Sequence, residues 1–166
     1  FQGKRIKNRH KRSLYLSAAR SFLFNELLSQ RVSAGSWNQA ITGDVMLLAG
    51  SNSYFVPAAI DTEILQRLAS FDIHPSGCLW GKGQTPAQGE AETMETKLAH
   101  AHPEMCRGLE QAGLKQERRS LRLPVIDLDW DLDMERQQLV LQFFLPAGSY
   151  ATTVIRELIQ ARDVSQ

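Results

Sequence analysis

No apolar run in this 166-residue chain reaches the roughly 18 residues that a membrane-spanning helix needs, so no membrane span is expected. No stretch carries the pattern of a secretory signal. Cysteine is scarce: there are two, Cys78 and Cys106, far apart and in no C-x-x-C pair. A disulfide framework is therefore not expected, and a reducing, cytoplasmic setting is. There is no internal repeat and no low-complexity tract. Hydrophobic content of 43% and charged content of 22% then leave a globular chain of one domain or slightly more.

Acid is missing from one end. The opening "FQGKRIKNRHKR" holds Lys4, Arg5, Lys7, Arg9, Lys11 and Arg12 and no carboxylate, a charge of +6, whereas the remainder carries 13 basic against 18 acidic side chains. Such a block reads as a solvated tail, a contact for a polyanion, or both.

Hydrophobic spacing predicts a helix over 13–30, with Tyr15, Ala19, Phe22, Leu23 and Leu27 on its buried stripe. Arg20 and Asn25 interrupt it, and a buried arginine needs a partner. "DVMLLAG" and "SYFVP" predict two short strands around a Gly50-Ser51-Asn52 turn. Asp61 predicts the N-cap of a short helix. The stretch 71–89, with Pro75, Gly77, Gly81, Gly83, Pro86 and Gly89, predicts a long irregular loop that exposes Trp80 and Lys82. A helix is predicted over 90–101, then another with Pro103 near its first position and Gly113 at its stop. On a helix, the Lys115, Arg118, Arg119 and Arg122 of "GLKQERRSLRL" would share one face. Beyond Leu123 the pattern alternates: Ile126, Leu128, Trp130, Leu132 and Met134 fall on one face of a strand, Asp127, Asp129, Asp131 and Asp133 on the other. "MERQQ" turns the chain and "LVLQFFL" returns it, a hairpin with one solvated face.

The aspartate row could hold a hard cation, but mutual repulsion relieved by water makes a wet outer sheet face the plainer reading. "HAHPEMC" offers His100, His102 and Cys106 to zinc, without the tight paired spacing such a site shows; His102 reads as a helix start. The segment "FLPAGSYATTVIREL" runs from a strand into a helix expected over about 149–161. Residues 147–151 do not fit the G-x-S-x-G elbow of hydrolases, and no His–acid pair accompanies Ser149. Gly148 permits an unusual turn, and the first amides of the helix would face outward, where they attract anions. Tyr150 would project from the first turn. Spacing alone favours its packing in the core; the other reading has the ring stacking on a base. Two basic clusters, exposed aromatics in a loop and an anion-friendly helix start suggest RNA rather than a small metabolite.

"NRHKRSLYLSAARSFLFN", "GLKQERRSLRL" and "FFLPAGSYATTVIREL", with "HPSGCLWGKG" as a Gly-rich loop, resemble the C-terminal half of the tRNA pseudouridine synthase D family, in the family's order and over most of the chain. The resemblance implies an enzyme, an isomerase that converts uridine-13 of tRNA to pseudouridine through an attacking aspartate, with no metal and no organic cofactor. It implies a mixed α/β (α+β) fold: residues 1–120 as a helix-rich insertion domain with a short β-hairpin, and 121–166 as the closing hairpin and helix of the catalytic domain. The family's Gly-x-Lys-Asp-type motif and its Gly-Gln-Arg-Phe-Gly stretch are not found, and Gly43-Asp44 does not match the former. The expectation is thus a fragment whose partners are tRNA and the missing N-terminal catalytic half, inactive alone and holding no catalytic residue. Gly148, Ser149 and Tyr150 match the segment that lines the uracil pocket. Arg9, Lys11, Arg12, Arg118, Arg119 and Arg156 match as RNA contacts, Arg156 alternatively as the tie of its helix to the catalytic sheet; Arg20 and Asn25 match too, and are as readily structural. The rival readings are a stand-alone RNA-binding module without catalysis and a small hydrolase centred on Ser149.

Overall fold

The computed structural model describes residues 8–146 and 149–159. The chain divides into two compact units, Phe1–Arg122 and Leu123–Gln166.

In the first unit, helix α1 (Arg9–Ser33) begins where the Asn8 side chain accepts the Lys11 amide at 3.1 Å. It starts a full turn before the predicted boundary, and its residues 9–15 are all exposed. Burial sets in at Ala19 and continues through Leu23, Phe24, Leu27 and Arg31. Tyr15 and Phe22, expected on this stripe, are exposed instead: Tyr15 lies in the opening turns that outrun the core, and Phe22 meets His102 edge-on at the rim. The hairpin of β1 (Met46–Leu48) and β2 (Tyr54–Phe55) forms as predicted, and Asp61 caps α2 (Thr62–Ala69) by accepting the Ile64 amide at 3.0 Å.

The predicted loop 71–89 is half wrong. Its first part is β3 (Ile73–Leu79), a central strand of the sheet, whose order is β2-β1-β3-β4. β1 pairs with one edge of β3 and β4 (Glu117–Ser120) with the other, both antiparallel. Pro75 is tolerated inside the strand, its carbonyl accepting the Leu121 amide at 2.9 Å. Gly77 is there for space: a Cβ would fall 2.9 Å from Leu27 Cδ2 and 3.2 Å from the Phe24 ring. The glycine is what lets α1 lie close on the sheet.

α3 (Gly89–Ala101) and α4 (Pro103–Gln111) meet at His102, with Pro103 in the first turn of α4 and Gly113 (φ 84°) past its end, as expected. The main core joins Ala19, Leu23 and Leu27 of α1 to Cys78, Leu98, Cys106 and Leu109. A second cluster packs Ile64 and Leu68 of α2 against Met46 and Ile73.

The second unit is a hairpin, β5 (Ile126–Asp133) and β6 (Gln138–Phe144), and a helix, α5 (Ala151–Leu158). Trp130 pairs with Leu141 and Leu132 with Leu139, while Asp129, Asp131 and Asp133 oppose Gln142, Val140 and Gln138. A bulge between Ile126 and Asp129, with Asp127 at φ 51°, inserts one residue. Ile126 therefore opposes Phe144 and changes face, against the simple alternation read from sequence.

Candidate nucleic-acid interface

The exposed opening of α1 presents Arg9, Lys11 and Arg12 to solvent. Lys4, Arg5 and Lys7 lie outside the described residues. Further along the helix, both terminal nitrogens of Arg20 find partners: one donates to the Leu79 and Lys115 carbonyls at 2.8 and 2.9 Å, and the other pairs with Glu117 at 3.1 Å. Arg20 thus ties α1 to the ends of β3 and β4. Asn25 is exposed.

The second basic cluster is not helical. β4 is a strand, and its period of two separates Arg118 from Arg119. Arg118 turns inward. Its guanidinium pairs with Glu95 at 2.6 Å, both side chains 2% exposed, and donates to the Ser76 hydroxyl and carbonyl. Arg118 is a group of the interior, out of reach of phosphate. Arg119 is exposed, its guanidinium 5.4 Å from the centroid of the buried Phe24 ring. Arg122 also serves the fold: it donates to the Leu68 and Ile73 carbonyls and to Nδ1 of His74, and lies over the Phe71 ring at 4.5 Å. Burial first, then the Arg122 charge, lowers the pKa of His74, with Asp72 opposing. Its Nδ1 lone pair is engaged as an acceptor, consistent with a neutral ring.

Trp80, expected as an exposed loop aromatic, is half-buried and pinned, its indole donating to Glu110 at 2.9 Å. The loop backbone after it is tied at Lys82, which donates its amide to Leu114 and accepts from Gln116. Cys78 and Cys106 are core residues; burial pushes their thiols up to about 12 and about 11. Among the described residues there is no group of three or more His, Cys, Asp or Glu able to hold a metal.

In the second unit, Tyr150 is the N-cap of α5 rather than a residue of its first turn. Its side chain is not in the core: Tyr150 is 76% exposed. Its carbonyl accepts the Thr153 amide at 3.0 Å, and the Ser149 amide donates to Pro146 at 3.2 Å. No side chain caps the helix, so the amides ahead of Thr153 keep their donor capacity. Arg156 is exposed on the same helix. Gly148 lies outside the described residues. Among the described residues no histidine bonds to Ser149, so nothing supports a hydrolase there.

Sequence reasoning missed two buried ion pairs, Arg118–Glu95 and Arg31–Asp44, because partners 23 and 13 residues apart leave no local signal. Also unnoticed was the four-residue spacing of Ser13, Ser17 and Ser21 on α1, a signal that was available.

Residues 5–158 match the model of the tRNA pseudouridine synthase D family. The tRNA pseudouridine synthase D of Nitrosococcus oceani is 47% identical over 161 residues, 97% of this chain and 45% of the relative. That of Aeromonas salmonicida is 48% identical over 163 residues, 98% of this chain and 46% of the relative. The crystal structure of a Methanosarcina mazei protein named as a tRNA pseudouridine synthase D matches with a TM-score of 0.66 at 25% identity, over 83% of this chain and 36% of that one. The chain spans about half the length of the curated relatives it matches.

Proposed function

The chain belongs to the tRNA pseudouridine synthase D family, and from that membership we propose that the full-length protein converts uridine-13 of tRNA to pseudouridine. The family match over residues 5–158 carries this reading. Residues 1–120 form the family's insertion domain and 121–166 the closing hairpin and helix of its catalytic domain, a division that the two compact units support. The reaction cleaves the bond between base and sugar after attack by an aspartate; the base turns and rejoins the sugar through carbon. It needs no metal and no organic cofactor, and its tRNA substrate fits a cytoplasmic location. That aspartate comes from the other half of the protein. Asp44 is no substitute, since it is 1% exposed and both its oxygens are held by Arg31.

This chain supplies surface. Extruding the target base costs a few kcal/mol of stacking, and a ring waiting in the pocket returns part of it. Tyr150 is that ring, exposed at the N-terminus of α5, and Ser149 and, from the family match, Gly148 belong to the same uracil pocket. Arg9, Lys11, Arg12, Arg119 and Arg156, all exposed, contact phosphates and make binding fall with salt as counterions are released.

The test is tritium release from an unmodified tRNA transcript carrying 5-tritiated uridine. The full-length protein should release one tritium per tRNA, from position 13. Binding without release would favour the rival, a stand-alone RNA-binding module. Release by this chain alone would overturn the assignment of the reactive aspartate to the other half.

A further inference from the structure

Between α1 and β4 lies a groove of about 360 Å³ whose polar wall is built by Ser13, Ser17, Arg20, Ser21 and Arg119. The serines follow one another every fourth residue, so their hydroxyls rise along one side of the helix. Ser13 and Ser17 are exposed and Ser21 is half-buried. Arg20 sits on the groove floor. Its terminal nitrogens are engaged, but its Nε is buried and without a partner. Arg119 lines the groove from the strand side, its guanidinium 5.4 Å from the centroid of the Phe24 ring. Leu16, Leu79 and Leu114 give the same groove an apolar wall.

The surroundings extend this surface. Arg9 lies one turn before Ser13 and Arg12 one turn before Leu16, and the stretch from Arg9 to Ser21 covers about 18 Å of helix. One acid lines the groove, Glu117, and it is paired with Arg20 at 3.1 Å.

We infer that this groove is a subsite for a ribose-phosphate of tRNA outside the reacting nucleotide: the serine hydroxyls and Arg119 hold the phosphate, the leucines carry the sugar, and Arg9 and Arg12 take the next phosphates along the strand. The inference rests on the proposed tRNA substrate but concerns binding at a place other than the Tyr150 bend. Hydroxyl donors beside an arginine suit a phosphate oxygen better than a carboxylate side chain does, because a phosphodiester offers several acceptors around one centre.

The experiment uses the full-length protein and unmodified tRNA, with Kd from filter binding at several salt concentrations and kcat and KM from tritium release. Arg119→Ala should raise Kd and KM about tenfold, leave kcat within twofold, and reduce the salt slope by about 1. Ser17→Phe, which fills the groove from an exposed helix position, should raise KM similarly with an unchanged melting temperature. Lys97→Ala, on the exposed face of α3, is the control and should change neither. Should Ser17→Phe fail to fold, Arg119→Ala decides alone. Wild-type Kd and salt slope in a folded Arg119→Ala protein would overturn the subsite while leaving the isomerase reading intact. Weakened tRNA binding in a protein that releases no tritium would keep the subsite and remove the isomerase.

Discussion

Glu95→Ala is expected to lower the free energy of unfolding by about 3–5 kcal/mol, the cost of stranding a buried charge. Both partners of the Glu95–Arg118 pair are 2% exposed. Glu95 accepts from Arg118 on one oxygen and from the Thr85 hydroxyl on the other. Arginine cannot shed its proton, so removing the acid leaves a cation inside the fold with only Ser76 to solvate it. A urea melt followed by circular dichroism reads the loss. Glu95→Gln, which keeps a polar group near Thr85, should recover a part. The informative variant is the double replacement of Glu95 and Arg118 by leucine and methionine: with no charge left to strand, it should regain most of the stability. A double variant as unstable as Glu95→Ala would show that packing, not charge, sets the effect. The pair anchors β4 to α3, and β4 is the strand that holds Arg119 at the groove.

Asp44→Ala follows, with an expected loss of about 3 kcal/mol. Arg31 grips both oxygens of Asp44 at 2.8 and 2.9 Å and keeps further bonds to the Ser36 and Gln39 carbonyls. Those carbonyls remain in the variant, so the stranded charge is better solvated than Arg118 would be and the penalty is smaller. Asp44 also accepts the Ile41 amide at 2.9 Å, so the loop after α1 loses its internal tie as well. Amide exchange should quicken over residues 34–45 before the rest of the unit. In the full-length protein, activity lost by Asp44→Ala should return on cooling below its melting transition. A folded Asp44→Ala protein with no turnover would instead give this aspartate a chemical role.

What the chain revealed before its structure was known was local chemistry. The Asp61 cap, the Gly50-Ser51-Asn52 turn, Pro103 and Gly113 each act within a few residues, and each was read correctly. β3 was missed because Pro75 and Gly77 are turn residues by local rules. They stand in a strand because β1 and β4 pair with both its edges and α1 presses onto Gly77. The basic run at 115–122 has a helical and a strand reading, and the pairing with β3 selects the strand; with it Arg118 turns in and Arg119 out. The bulge at Asp127 is one inserted residue, invisible in an alternation count, and it moves Ile126 across the hairpin. At the site, exposed Arg9, Lys11, Arg12 and Arg119 were legible, whereas the exposure of Tyr150 was not: spacing favoured the core. The resemblance, not the periodicity, pointed to that ring.

The central claim is that the bend after Pro146 offers an aromatic ring to the extruded uridine and no reactive group. It is tested most directly by the turnover of Tyr150→Phe and Tyr150→Ala in the full-length protein under saturating tRNA. Stacking on one base is worth about 1–3 kcal/mol, so loss of the ring should slow turnover by about 5- to 150-fold. Tyr150→Phe should stay close to wild type, since the hydroxyl is not needed for stacking. Full turnover in Tyr150→Ala would contradict the claim, and so would an inactive Tyr150→Phe, which would make the hydroxyl a chemical participant.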